Sequence, residues 1–207
     1  MFQKVNRTPP LNLPLKEVET VSVDPSSLRM GLGGGVEAKF ILVLPNIRSA
    51  HNVGAMFRTA DGAGVDKIYL TGYTPTPPHP RLDKVSLGAE KWVPWEYVKQ
   101  TGKLLKQLKE KGYNIVALEQ TKESVSLYDW SPEFPLALIV GNEKTGVTKS
   151  MLKYCDKSVE LPMRGRKKSL NVSVAAGITM FYISSRLSSS RRRGSRRVAT
   201  RFPLSRE

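Results

Sequence analysis

Hydrophobic positions in this chain gather in short continuous runs separated by amphipathic stretches. Residues 40–44 read FILVL, an unbroken apolar run of strand length, the pattern of a strand buried on both faces. Residues 67–70, 114–118, 136–140 and 157–161 are predicted as further strands. Between the first two, Val53, Met56, Phe57 and Ala60 recur at helical spacing. They predict a helix over 50–62, stopped by Gly62 or Gly64. Leu104, Leu105 and Leu108 mark the inward side of a surface helix over 102–111, and 170–186 reads as a long amphipathic helix. Strands alternating with helices predict an α/β fold, a mostly parallel sheet with helices on both faces.

The flanks break this pattern. Residues 1–38 hold Pro9, Pro10, Pro14 and Pro25, then Gly31-Leu32-Gly33-Gly34-Gly35, and are expected to form an irregular N-terminal arm. Phosphate-cradling glycine loops follow a strand and open a helix. This glycine run precedes a strand, so it reads as a linker. The proline-rich stretch 74–80 reads as a loop. From Ser188 onward the chain is rich in Ser and Arg without hydrophobic periodicity, and this basic tail is expected to be disordered alone. The expected organisation is therefore an arm at 1–38, a domain at 39–187 and a tail at 188–207.

Length and charge narrow the function. The 207 residues suit one domain with appendages. No stretch approaches the roughly 18 apolar residues of a membrane helix, and the N-terminal residues lack an apolar signal core, so a cytoplasmic protein without a membrane role is expected. Cys155 is the single cysteine, and with only His51 and His79 beside it no zinc site or internal disulfide is expected. The net charge is +15, of which +9 remains on residues 1–190 once the arginines from Arg191 onward are set aside. Such a surface attracts polyanions, with RNA, DNA and anionic membrane not separated by charge alone.

Ligands of open α/β sheets gather beyond the carboxyl ends of the strands, and three segments place unusual polar residues there. After the first strand come Arg48, Asn52, Gly54 and Arg58. Asn52 and Arg58 are about 600° apart in rotation on the helix, so they do not share one face. After 136–140 comes Gly141-Asn142-Glu143-Lys144-Thr145-Gly146, a tight turn with one carboxylate. After 157–161 comes a basic loop with Met163, Arg164, Arg166, Lys167 and Lys168, then Ser169, Leu170 and Asn171. Ser169 is predicted as a helix cap, and the four cations can meet phosphates. Taken singly, each segment also reads as an ordinary cap, turn or solvated loop.

In this order the segments resemble the SPOUT superfamily, in particular its SpoU/TrmH-type RNA ribose 2′-O-methyltransferases. Asn52-x5-Arg58-x5-Gly64 resembles the first motif of that family, Ile139–Gly146 the second, and Leu161-Pro162-Met163 with Ser169-Leu170-Asn171-Val172-Ser173 the third. The resemblance covers about residues 40–187. It implies a C-terminal deep trefoil knot, a homodimer, and S-adenosyl-L-methionine held in a bent shape by the knot loops. By position, those loops supply Leu118, Glu119, Thr121, Gly141, Asn142, Gly146, Leu161, Met163, Ser169 and Leu170 to the cofactor. The catalytic set it implies is Arg58, Asn52, Glu143, Ser169 and Asn171, with Arg48, Arg58, Arg164, Arg166, Lys167 and Lys168 on RNA.

The implied chemistry follows from elementary constraints. A sulfonium methyl is already activated, so what remains is to align a 2′-oxygen behind it and help remove a proton. A guanidinium pKa above about 12 makes Arg58 a poor base. It is better suited to binding the adjacent phosphate and stabilising a developing alkoxide. Transfer RNA is the favoured substrate, with ribosomal RNA, a base-directed methyltransferase and a non-catalytic RNA-binding protein as the alternatives.

Overall fold

The computed structural model describes residues 39–196, with side-chain burial described through residue 187. The expected arm at 1–38 and the end of the basic tail, 197–207, lie outside the described residues. In chain order the elements are β1 (Phe40–Pro45), α1 (Ala50–Ala63), β2 (Lys67–Thr71), α2 (Pro80–Ser86), β3 (Trp95–Val98), α3 (Thr101–Glu110), β4 (Asn114–Leu118), β5 (Val125–Ser126), β6 (Leu136–Val140), α4 (Lys149–Leu152), β7 (Lys157–Glu160) and α5 (Val172–Arg196). The seven strands form one sheet in the order β3-β2-β1-β6-β4-β7-β5, and every pairing is parallel.

Alternation along β1 divides the core in two. Phe40, Leu42 and Leu44 face the cluster that takes Val53, Met56, Phe57 and Ala60 from α1, Leu82 from α2, and Ala176, Met180 and Ile183 from α5. Ile41 and Val43 face the other way, onto Leu104, Leu105 and Leu108 of α3, with Met151 and Leu152 of α4 at its margin. Successive side chains of a strand point to opposite faces, so an uninterrupted apolar run is what a strand covered on both sides demands. β1 and β6 are buried at every residue. Truncating one of these fully buried side chains, Phe57 for example, costs about 3–5 kcal/mol.

The helix ends follow local chemistry. Ser49 caps α1, its Oγ accepting from the Asn52 N–H at 3.3 Å, and Gly64 ends it in the left-handed region at φ 69°. α1 lies close against α2 because residue 54 is glycine: a Cβ there would sit 2.5 Å from the Leu82 carbonyl oxygen. The proline-rich 74–80 stretch is loop up to His79, and Pro80 then opens α2 at its first turn, where a missing N–H costs nothing.

Two expectations shift. α5 begins at Val172, and its cap is Asn171 rather than Ser169. The Asn171 Oδ1 accepts from the Ser173 N–H at 2.9 Å and from the Ser173 hydroxyl at 2.6 Å. Ser169 lies too far upstream to reach those amides. At its other end α5 continues to Arg196, past the helix end expected at Arg186 and into the stretch from Ser188 that was expected to be disordered.

Candidate active site

The carboxyl ends of β4, β6 and β7 and the segment entering α5 enclose a cleft of about 440 Å³. Leu118 and Glu119 come from the end of β4. Val140, Gly141, Asn142, Glu143, Lys144 and Gly146 come from the end of β6 and its turn. Leu161, Met163, Ser169, Leu170 and Asn171 come from the path between β7 and α5. Of the residues expected around a cofactor, all but Thr121 line this cleft.

The turn after β6 is closed on itself. The Asn142 and Gly146 backbones exchange hydrogen bonds at 3.2 and 2.9 Å, while the Asn142 Oδ1 accepts from the N–H groups of Lys144 and Thr145 at 2.8 and 3.2 Å. An Asn side chain bonding to amides just ahead of it is a standard turn-former. Gly141 is required because a Cβ would lie 2.2 Å from the carbonyl carbon of Gly146, and backbone cannot yield there. Glu119 ties the turn to β4, its Oε2 accepting from the Val147 N–H at 2.6 Å.

Glu143 reaches back from this turn to the segment entering α1. Its carboxylate accepts from the N–H groups of Arg48 at 3.0 Å and Ser49 at 3.1 Å and from the Asn52 side-chain amide at 2.8 Å. Partial burial pushes its pKa up. The amides of Arg48, of Glu143 itself and of Asn52, with that of Ser49, outweigh burial and hold the carboxyl below its ordinary value. Asn52 is buried and passes the link on, since its Oδ1 accepts from the Asn171 side-chain amide at 3.2 Å. Glu143, Asn52 and Asn171, from three separate segments, thus form one hydrogen-bonded line along the edge of the cleft.

A family model described as the SpoU rRNA Methylase family matches residues 39–181. The chain belongs to that family. Among its relatives, a tRNA (guanosine(18)-2′-O)-methyltransferase of Aquifex aeolicus is 36% identical over 142 residues, covering 68% of this chain and 66% of the relative. A 23S rRNA (guanosine-2′-O-)-methyltransferase RlmB of Pectobacterium atrosepticum is 33% identical over 146 residues, covering 70% and 59%. The matched region spans about three fifths to two thirds of these relatives' lengths. Among solved structures, the A. aeolicus TrmH/SpoU tRNA modifying enzyme superposes with a TM-score of 0.68 at 32% identity, covering 74% of this chain and 78% of that one. An AdoMet-bound rRNA methyltransferase from Sinorhizobium meliloti gives 0.68 at 27%, covering 73% and 58%.

Not every residue expected at a SpoU site meets the cleft. Thr121 turns away from it: its N–H donates to the Ser124 Oγ at 3.1 Å and its carbonyl accepts from that hydroxyl at 2.8 Å. This tight turn sends Thr121 to a second cavity beside Cys155 and Lys157. Arg58 is exposed on α1, outside the cleft lining of its own chain. Arg48, Arg164, Arg166, Lys167 and Lys168 are all exposed; none lines the cleft. The Lys168 carbonyl is held by the Gln120 side chain at 3.0 Å.

Gln120 and Lys144, inside the expected cofactor loops but given no role of their own, both stand on the cleft wall; sequence reasoning missed Tyr73, whose hydroxyl accepts from the Asn142 side chain at 2.8 Å. Lys144 carried a signal, since it stands inside the turn motif. Nothing local marks Tyr73. Cys155 is half-buried; burial, then the Asp156 carboxylate, pushes its thiol up to about 12, which leaves it inert. No helix among the described residues is long and apolar enough to cross a membrane.

Proposed function

We propose that this protein transfers a methyl group from S-adenosylmethionine to a ribose 2′-hydroxyl of RNA, with transfer RNA as substrate. The observation that carries this is the Glu143–Asn52–Asn171 line bordering a cleft at the ends of three parallel strands. The names of the relatives support ribose 2′-O chemistry, and the A. aeolicus relative and structure support transfer RNA. The net charge of +15 suits a polyanionic substrate, and the reading places the protein in the cytoplasm with its RNA.

The cleft residues fit the cofactor. At about 440 Å³ it falls within the roughly 300–1,000 Å³ of small-molecule sites. Leu118, Val140, Leu161 and Leu170 offer apolar surface to a flat heterocycle, and Gly141, Leu161 and Leu170 offer backbone groups to its edge and ribose. Glu119 and Glu143 supply negative charge near a cationic ligand. When bound, S-adenosylmethionine supplies an activated methyl on a sulfonium. The protein's part is then to fix the acceptor oxygen in line, which contributes up to about 7–11 kcal/mol for well-oriented reactants. Glu143, Asn52 and Asn171 hold the turn after β6 and the segment entering α5 at fixed spacing against α1, and Ser169 and Asn171 face the acceptor ribose.

Arg58 belongs to this reading through a homodimer. Val174, Ile178 and Phe181 form an exposed apolar stripe on α5, and an exposed patch of this kind marks an interface. That stripe adjoins α1, where a Cβ on Gly62 would meet the Phe181 ring at 3.5 Å and one on Gly177 would meet Thr59 at 3.3 Å. Arg58 precedes Thr59 on the same helix, and in this reading a second copy seated on the stripe takes the guanidinium of Arg58 at its own cleft. There it binds the phosphate beside the target and stabilises the developing alkoxide. Arg164, Arg166, Lys167 and Lys168 take further phosphates.

The same reading gives residues 39–187 the role of catalytic domain, with an arm at 1–38 and a basic tail from 188. It includes a C-terminal trefoil knot in which the segment 161–171 threads the loop 119–135. Two contacts support the threading: Gln120 holds the Lys168 carbonyl, and the Tyr182 hydroxyl bonds the Trp130 carbonyl. The test is incubation with S-adenosylmethionine and unfractionated transfer or ribosomal RNA, followed by nucleoside mass spectrometry. A 2′-O-methylnucleoside from transfer RNA is expected. Methyl on a base, or no methyl on either RNA, overturns the reading.

A further inference from the structure

Tyr73 is 62% exposed, yet it is held at both ends. Its backbone N–H donates to the Asn46 Oδ1 at 3.2 Å, and its hydroxyl accepts from the Asn142 side-chain amide at 2.8 Å. That same amide also bonds the Asn46 carbonyl, and Asn46 itself sits in the left-handed region at φ 57°. Tyr97 stands beside it, 45% exposed, its hydroxyl donating to the Gly72 carbonyl at 2.8 Å. Two tyrosine rings are thus tethered through their hydroxyls at the carboxyl ends of β2 and β3, next to the turn that walls the cleft. An exposed aromatic ring normally gains nothing from being fixed in water. A ring fixed in advance gives large contact area at little further cost in conformational freedom.

Two cations stand on the segments that hold this ring. Arg48 is exposed two residues beyond Asn46, its backbone bonded to Glu143. Lys144 is exposed two residues beyond Asn142, its backbone bonded to the Asn142 side chain. The cations and the ring therefore hang on one hydrogen-bonded frame made of Asn46, Asn142 and Glu143. Single-stranded RNA is gripped by this combination, bases stacked on aromatic rings and phosphates met by cations. We propose that Tyr73 is a stacking platform for an unpaired base of the RNA substrate, with Arg48 and Lys144 on the flanking phosphates. The proposal rests on the RNA reading of the cleft and adds to it that the nucleotides about the target are single-stranded. Such a substrate presents the flat face of a base to the protein, which a duplex does not.

A competing role for Tyr73 is purely internal: its hydroxyl steadies Asn142 and nothing stacks on the ring. Tyr73→Phe removes the hydroxyl and keeps the ring, whereas Tyr73→Ala removes both. The test titrates a fluorescein-labelled ten-residue oligoadenylate against the full chain and its variants over a range of salt. S-adenosylmethionine affinity is measured in parallel by calorimetry. Tyr73→Ala is expected to weaken oligoadenylate binding about five- to hundredfold with an unchanged salt slope. Tyr73→Phe is expected to stay within about threefold of the parent, as is Trp92→Ala, an exposed ring elsewhere. Arg48→Ala and Lys144→Ala are each expected to lower the salt slope by about one. Equal losses in Tyr73→Ala and Tyr73→Phe, or no loss in either, overturn the proposal. A parent chain that binds oligoadenylate through Tyr73 but not S-adenosylmethionine would count against methyl transfer and leave the platform standing.

Discussion

The side-chain amide of Asn171 donates to the side-chain oxygen of Asn52 at 3.2 Å, across 119 residues of chain. Each asparagine also serves elsewhere, Asn171 as the cap of α5 and Asn52 as a donor to Glu143. One contact therefore registers the start of α5 against the start of α1. Asn52→Ala leaves its partners short of hydrogen bonds beside the cleft, a loss of about 1–3 kcal/mol. Urea denaturation is expected to show it as a lower midpoint at unchanged slope. A midpoint equal to the parent's would mean that the contact contributes nothing.

The Glu143 carboxyl carries a pH signature. Because its pKa in the folded chain is depressed, the stability it contributes is present above the unfolded-state pKa and is lost as pH falls through the folded value. Glu143→Gln is expected to destabilise at pH 7, with the two stability curves converging as pH falls below the ordinary carboxyl range. Denaturation midpoints followed from pH 7 downward check this. A gap that stays constant with pH argues against a role for the charge.

At Gly141 a single methyl group decides. Gly141→Ala drives its Cβ into the Gly146 carbonyl carbon at 2.2 Å, so the turn must open. Loss of S-adenosylmethionine binding is expected by calorimetry, with helical circular dichroism retained at low temperature. An alanine variant that binds the cofactor like the parent would show that the turn adapts.

Arg58 gives a test by complementation. Arg58→Ala and Leu170→Asp are each expected to abolish methyl transfer. Randomly paired mixtures restore one complete cleft in each mixed dimer, about a quarter of parental activity. A mixture as dead as its parts would place Arg58 in its own chain's cleft or outside the reaction.

Cys155 is expected to be slow. With its thiol pushed up to about 12, the reactive thiolate is about one part in ten thousand at pH 8. A disulfide reagent should label the native chain far more slowly than the urea-unfolded one. Equal rates would show that burial does not protect the thiol.

How much of this was legible depends on whether the signal is local. β1 and β6 announced themselves because burial on both faces forbids polar residues. α1 did so because its buried positions repeat at helical spacing. α2 buries only Leu82 and Ser86, β3 is an edge strand without buried residues, and β5 has two residues, so none imprints a period. The candidate site was legible where motif and turn coincide, at Gly141–Gly146 and Ser169–Asn171. The capping role went to Asn171 because the true first turn starts at Val172, three residues beyond Ser169. Tyr73 escaped notice because its meaning comes from Asn142, 69 residues away. Arg58 was expected in the catalytic set, and in its own chain it is exposed on α1, outside the cleft lining.

The position of β6 has a consequence for synthesis. It pairs with β1 on one side, 136–139 against 40–43, and with β4 on the other, 136–140 against 114–118. Until residue 140 has left the ribosome, β1 to β3 can pair but β4 has no partner strand, since β6 and β7 both follow it in the chain, and β1 and β4 each expose an apolar edge. Such long-range closure is slow. Nascent or truncated chains ending before Leu136 are therefore the aggregation-prone forms, and holdase chaperones should bind those lengths above all others.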